Sequence, residues 1–443
     1  MIRLSKKIAA VSLLLVGMVS VNTGSASAAN YVPISGSGST WSQNAIDQWR
    51  RDVNQFGMQI NYAGTGSSDG RNQFRSGTVD FAVSEIPYGI VQGGNPDPLP
   101  TRPFAYMPIV AGGTSMMYNL QINGKRVTNL RLSGETLTKI FTNVITKWND
   151  PQIAKDNPGL RLPGLTIVPV VRSDGSGTSA QFTAYMANQY PALWTAYTNR
   201  AGIPGAGGTL SQFPVIPGQR TTAQAGSLGV AGYVSQANNV GTIGYVEFSY
   251  ALNAGFPVVK LLNKAGYFIE PTSSSVAVAL TQAVINKDLT SNLSGVYVDP
   301  DPRAYPLSSY SYLIVPTSTA NNFSNDKGRT LAAFGKYFLC EGQKKAPLLG
   351  YSPLPINLVQ SGFSVLKRIP GAEVGTINIA NCKNPTFSAD GTNTLAKTAP
   401  QPAPCDKNNI PTQCPNGTGG AMNTPTQVSG AGANFGGSGG GTN

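Results

Sequence analysis

Val171-Arg172-Ser173-Asp174-Gly175-Ser176-Gly177-Thr178-Ser179-Ala180-Gln181-Phe182-Thr183-Ala184-Tyr185-Met186 is the stretch around which the chain is organised. The apolar run at 167–171 reads as a buried strand, and 181–186 reads as the opening turns of a helix. In the polar loop between them, Gly175 and Gly177 let the backbone approach a ligand closely. The Ser and Thr hydroxyls can cap the helix, whose first unpaired N–H groups carry positive partial charge. Arg172 adds a planar, permanently charged fork suited to carboxylate or phosphate. Strand, loop and helix start together make an anion seat. The plainer alternative is a capped strand-to-helix turn beside a surface arginine.

The same pattern occurs twice upstream. Tyr31-Val32-Pro33-Ile34 reads as a strand running into the loop Ser35-Gly36-Ser37-Gly38-Ser39-Thr40, and a helix follows with Trp41, Ala45, Ile46 and Trp49 on one face. A second strand at 58–63 leads into Gly64-Thr65-Gly66-Ser67-Ser68-Asp69-Gly70. After a helix and a strand at 79–83, the unit ends in Ser84-Glu85-Ile86-Pro87. Alternating strands and helices predict an α/β sheet, with ligands beyond the carboxyl ends of the strands.

Composition narrows the function. A chain of 443 residues can build two substantial cores, and its 51 Gly and 32 Pro imply many loops. It has no histidine, which removes His-based triads, His-ligated metals and a His pH switch. No metal or other cofactor is expected. The net charge of +12 is not gathered into a basic, aromatic-laced run, so nucleic acid is not an expected partner. Arg3, Lys6 and Lys7, an apolar stretch at 8–21 and Ala26-Ser27-Ala28 read as a signal peptide over residues 1–28, cleaved after Ala28. A membrane anchor is the weaker reading, because the apolar run is short. No cysteine near the cleavage site could carry a lipid (there is no lipobox), so a secreted or envelope-associated, extracytoplasmic protein is expected. Cys340, Cys382, Cys405 and Cys414 suit that compartment. They permit three pairings; chain order favours Cys340–Cys382 with Cys405–Cys414.

Four segments occur in family-like order: Ser35-Gly36-Ser37-Gly38-Ser39-Thr40-Trp41, Gly64 to Gly70, Val79-Asp80-Phe81-Ala82-Val83-Ser84-Glu85 and Arg172 to Ser179. Lys147-Trp148-Asn149-Asp150-Pro151, Asn157-Pro158-Gly159-Leu160 and Ile243-Gly244-Tyr245-Val246-Glu247 support them. Together they resemble the phosphate-binding proteins of high-affinity phosphate ABC importers (the PstS family) over roughly 31–370. The resemblance implies a two-lobed α/β periplasmic-binding-protein fold of type II, closing by a hinge on phosphate in the cleft. Lobe I would combine 29–112 with 306–372, lobe II would span 113–305, and the return strand would lie at 312–315. It implies a monomer that delivers phosphate to a membrane permease.

By the same resemblance, Thr40 and Trp41 are donors of the first loop and Ser67 of the second. Arg172 is the charged donor, held by Asp174, and Ser176, Gly177 and Thr178 donate from the helix start. Glu85 stands where the family usually has Asp, accepting the proton of hydrogen phosphate. Asp69 is a second carboxylate that could lie nearby. No residue is assigned a catalytic role; the alternative function is a secreted phosphomonoesterase on the same pocket, which lacks an evident base. Residues 373–443, rich in Pro, Gly, Asn and Thr, read as a disordered tail with a small disulfide loop.

Overall fold

The computed structural model describes residues 31–426 apart from 93–94 and 376–377; the signal peptide expected over 1–28 lies outside the described residues. Eight strands form the main sheet: β1 (Ile34–Gly38), β2 (Ile60–Ala63), β3 (Phe81–Ser84), β4 (Phe104–Asn119), β5 (Val168–Arg172), β6 (Thr222–Gln224), β7 (Thr242–Glu247) and β8 (Ser308–Pro316). Their spatial order is β6-β5-β7-β4-β8-β3-β1-β2. β1 runs parallel to β2 and β3, and β5 runs parallel to β6 and β7. Each end of the sheet is therefore a small parallel α/β unit. The long β4 joins them, pairing antiparallel with β7 through 114–119 and with β8 through 104–113.

The helices that position the site and its surroundings are α1 (Gln43–Asn54), α2 (Ser67–Ser76), α3 (Gly177–Gln189), α4 (Gly226–Val234), α5 (Ser273–Ala279), α6 (Asn325–Leu339), α7 (Ile356–Leu366) and α8 (Thr394–Lys397). One apolar core gathers Trp49 of α1, Phe74 of α2, Phe81, Ile109, Ile314 and Phe338. A second gathers Phe141, Phe182 of α3, Trp194, Tyr245 and Leu261. Val276 and Val278 of α5, with Leu293 and Val296, lie within the expected second-lobe segment 113–305 but pack in the first core. The chain thus returns to the first core before its return strand begins.

Several strand and helix limits differ from expectation, three of them for a visible reason or by several residues. β1 starts at Ile34 and takes in Ser35–Gly38, because its glycines pack flat against a neighbour: a Cβ on Gly36 would sit 2.2 Å from the Phe81 ring. β8 spans Ser308–Pro316 rather than 312–315. α3 begins at Gly177, since Ser176 caps it by accepting a hydrogen bond from the Ser179 N–H at 3.1 Å.

The tail departs most from its expected disorder. Through Thr426 it is folded onto the body; 427–443 lie outside the described residues. The cysteines pair Cys340–Cys382 and Cys405–Cys414. The side chains of Asn384 and Thr386 donate to the Leu354 carbonyl at 2.9 and 2.8 Å, and the Arg303 guanidinium donates to the carbonyls of Ala396 and Ala399. Further along, Asp406 pairs with Lys260 at 2.7 Å, and Arg131 donates to the Cys405 carbonyl at 3.0 Å. Thr418 accepts from the Val258 N–H, Gly419 donates to Glu270, and Thr426 accepts from the Thr128 N–H. The tail buries few large apolar side chains of its own. Its order comes from hydrogen bonds to an existing body, which composition does not register.

Candidate functional site

Four strand ends converge where the two parallel units meet. Residues 39–41 follow β1, and Ser67 begins α2 after β2. Glu85 directly follows β3, Arg172 ends β5, and Ser176–Thr178 open α3. Gly66, which precedes α2, has φ 96°, a conformation that glycine adopts at little cost and a side chain rarely does. It lets the Ser68 N–H donate to the Gly175 carbonyl at 2.9 Å, joining the second loop to the α3 loop.

The centre is a buried carboxylate. Glu85 is 1% exposed; its Oε1 accepts from the Ser39 hydroxyl at 2.5 Å and the Ser311 hydroxyl at 2.8 Å. Its Oε2 accepts from the Ser67 hydroxyl at 2.8 Å and lies against Gly177, where a Cβ would sit 2.2 Å from that oxygen. A glycine at the first residue of α3 is therefore a spatial requirement. Opposite stands Arg172, 2% exposed, with Nε donating to Asp174 Oδ1 at 2.7 Å and Nη2 to Asp174 Oδ2. Nη1 reaches the Ser227 hydroxyl at 3.3 Å.

These environments push the two carboxyls apart. Burial raises the Glu85 pKa, partly offset by the bonds from Ser39, Ser67 and Ser311 and by the Arg172 charge. Burial acts the same way on Asp174, but the Arg172 fork and the Gly226 N–H outweigh it and lower its pKa. The site thus holds one paired cation, one carboxylate whose ionised form that cation favours and one whose protonated form burial favours. Thr178 Oγ1 is buried here without a hydrogen-bond partner among the described residues.

The domain family described as the PBP superfamily domain matches residues 23–341. The Phosphate-binding protein PstS of Xylella fastidiosa strain Temecula1 is 34% identical over 330 residues, covering 74% of this chain and 83% of that relative. The Phosphate-binding protein PstS of Methanocaldococcus jannaschii is 30% identical, covering 75% and 85%. This chain belongs to the PstS family of the PBP superfamily. The fold agrees: the solved phosphate-binding protein from Stenotrophomonas maltophilia superposes with a TM-score of 0.55 at 18% identity, over 82% of this chain and 99% of that one. A second solved structure, the periplasmic phosphate-binding protein PfluDING bound with phosphate, gives 0.54 at 19% identity, over 74% and 92%. The two-lobed α/β fold expected from the sequence is the fold of this family member.

Most residues to which the PstS resemblance pointed lie together. Ser67, Glu85 and Gly177 are in one cluster, with Thr178 next to Gly177 on α3. Arg172 and Asp174 form a bidentate pair. Thr40 faces the second unit, accepting the Ser227 N–H at 3.0 Å. Two backbone donors are engaged within the protein: Trp41 N–H donates to Ser39 Oγ at 3.0 Å, and Ser176 N–H to the Ser211 carbonyl at 2.9 Å. Trp41 is buried, its ring edge-on to Tyr351 and its Nε1 3.3 Å from Thr114 of β4. Asp69 is exposed and bonded by Gln73, away from the cluster.

Ser39, Ser227 and Ser311 were not foreseen. Ser227 had a usable signal, because Gln224-Ala225-Gly226-Ser227 is another strand–glycine–serine–helix turn. Ser311 had none, being a residue of a crossing strand. Among the described residues no group of three or more His, Cys, Asp or Glu side chains is arranged to hold a metal.

Proposed function

We propose that this family member is an extracytoplasmic solute-binding protein that captures inorganic phosphate between two lobes and hands it to the permease of an ABC importer. The observation that carries this reading is the contact of Glu85 Oε2 with Gly177, which brings a proton acceptor from one parallel unit against the α3 N-terminus of the other. Thr40, Arg172, Ser176, Gly177 and Thr178 are the ligand's donors, joined by Trp41 and Ser67 when the anion displaces their bonds to Ser39 and Glu85; Glu85 accepts its proton, and Asp174 holds Arg172. Donors that are mostly neutral select by geometry rather than by charge. A buried acceptor satisfies the O–H of hydrogen phosphate and leaves sulfate facing an unpaired charge. The names of the relatives support phosphate as the ligand class.

Lobe I is built on 29–112 and 306–372 and lobe II on 113–305, with α5 docked on lobe I. β4 and β8 are the crossings about which the lobes close. The protein acts as a monomer, without cofactor or nucleic acid, outside the cytoplasmic membrane. Among the described residues no helix is long and apolar enough to cross a membrane. It is a binding protein rather than a phosphomonoesterase: Ser67 does donate to a carboxylate, but that carboxylate is shared among three hydroxyls. Titration calorimetry of phosphate-stripped protein tests the reading. Phosphate should bind one per chain, with a fluorescence change and a more compact scattering profile. No phosphate binding, or sustained release of phosphate from a chromogenic ester, would reject it.

A further inference from the structure

The cage around Glu85 contains two residues outside the ligand donors named above. Ser39 follows β1, and Ser311 lies in β8 where the register with β4 shifts between Ser311 and Tyr312. Both hydroxyls donate to Oε1 of Glu85, at 2.5 and 2.8 Å, and both side chains are buried. A carboxylate oxygen offers about two lone-pair sites, so Oε1 is fully engaged. Among the described residues Oε2 accepts only from Ser67, at 2.8 Å, and it faces Gly177, so it retains a free site on the ligand's side. The Trp41 N–H in turn donates to Ser39 Oγ at 3.0 Å, and Ser42 Oγ lies 3.1 Å from Ser311 Oγ. The rotation of the carboxylate is thereby fixed from the end of β1 and from within β8.

We propose that Ser39 and Ser311 are positioning residues for anion selection: they hold Glu85 ionised and turn Oε2, alone, toward the bound anion. The proposal rests on the phosphate reading above. An acceptor carboxylate excludes sulfate only while it is ionised; once protonated it can donate to a sulfate oxygen. Burial favours the protonated form, and Ser39, Ser67, Ser311 and the Arg172 charge oppose it. The other titratable groups facing Glu85 are Arg71 of α2, Tyr62 of β2, Tyr312 of β8 and Tyr250. The tyrosines are all raised, first by burial, and stay neutral across the working range. Arg71 is lowered by burial, opposed by Asp97, yet remains an ion-paired cation. Glu85 is therefore the carboxyl of this cluster on which burial and the serine hydroxyls act in opposite directions. Removing the two hydroxyls leaves the carboxylate less stabilised, so its protonation and the admission of sulfate both move to higher pH.

The test is direct sulfate titration between about pH 4.5 and about pH 8.5, a range in which sulfate carries no titrating proton. Wild type should take sulfate only toward the acid end. The Ser39→Ala/Ser311→Ala protein should take it at a midpoint at least about one pH unit higher. In a Glu85→Gln background sulfate binding should be flat with pH, and adding the serine substitutions should leave it flat. Should the double variant fail to give a native circular dichroism spectrum, each single variant should move the midpoint the same way by a smaller step. A folded variant that binds phosphate with an unmoved sulfate midpoint overturns the proposal while leaving the phosphate reading standing. A serine effect that persists in Glu85→Gln also overturns it. Wild type that takes no phosphate removes the reading and the proposal together.

Discussion

The ligand loops and the C-terminal tail draw on the same small vocabulary of Gly, Ser, Thr and Asn, yet use it in opposite directions. In the loops, the hydroxyls of Ser39 and Ser67 converge with that of Ser311 of β8 on one buried carboxylate, and polar side chains meet polar side chains. In the tail, polar groups meet the backbone of a body already folded, or are met by it: Thr386 donates to the Leu354 carbonyl, Thr418 accepts from the Val258 N–H, and the body's Asn129 donates to the Cys414 carbonyl. The loops create a place where an anion can be sorted. The tail satisfies backbone groups on both cores and is fastened to the body by the Cys340–Cys382 disulfide, while Cys405–Cys414 closes a small loop within it. What separates function from fastening is thus the partner each polar residue finds.

If that division is right, substitutions in the two regions should fall on different observables. Arg172→Ala removes the cation of the site and leaves Asp174 unpaired, so phosphate affinity should drop by about 2–5 kcal/mol. Near-normal affinity by calorimetry would show the seat to be elsewhere. Replacing Cys340 and Cys382 by serine opens a link spanning 42 residues and should cost about 2–4 kcal/mol of stability in a urea titration. Phosphate affinity of the remaining folded protein should stay near wild type. A large affinity loss there would mean that the tail shapes the site as well as fastening it.

Gly177→Ala sharpens the comparison from inside the site. Its Cβ would sit 2.2 Å from Glu85 Oε2, so the carboxylate or α3 must shift. Phosphate binding should weaken, and the urea midpoint should fall with an overpacking cost of about 1–3 kcal/mol. An unchanged affinity would place the acceptor away from α3.

The smallest effect is a pH slope. Burial raises Glu85 and raises Glu247 well above the usual carboxylate range, so the folded chain holds these protons more tightly than the unfolded one. Their contribution to stability is complete below the ordinary carboxylate pKa and is lost as pH rises through the raised folded values. Glu247→Gln should therefore flatten the fall in urea midpoint from acid to neutral pH, measured without phosphate. An unaltered slope would assign it to other groups.

The sequence made the loops legible because their signal is local. Strand, glycine, hydroxyl and helix start lie within a dozen residues, as in 167–182, and a carboxylate closing β3 stands out. Arg172 with Asp174 could be read for the same reason. Ser311 could not, because its role depends on a strand more than two hundred residues from Glu85. Gly36 read as loop although it is strand, since the reason for its size is the Phe81 ring across the sheet. The tail misled because composition measures how much apolar surface a segment can bury, while this one is held by Arg303, Arg131, Lys260 and the Cys340–Cys382 disulfide.

The central claim is that Glu85 accepts the ligand's proton and thereby separates phosphate from sulfate. Its most direct test is calorimetric titration of phosphate-stripped wild type and Glu85→Gln with both anions at neutral pH. The expected result is tight phosphate and no measurable sulfate binding in wild type. In Glu85→Gln, phosphate should weaken modestly while sulfate becomes measurable, shrinking discrimination by about 1–3 kcal/mol. Unchanged discrimination in Glu85→Gln, with phosphate still bound, would contradict the claim.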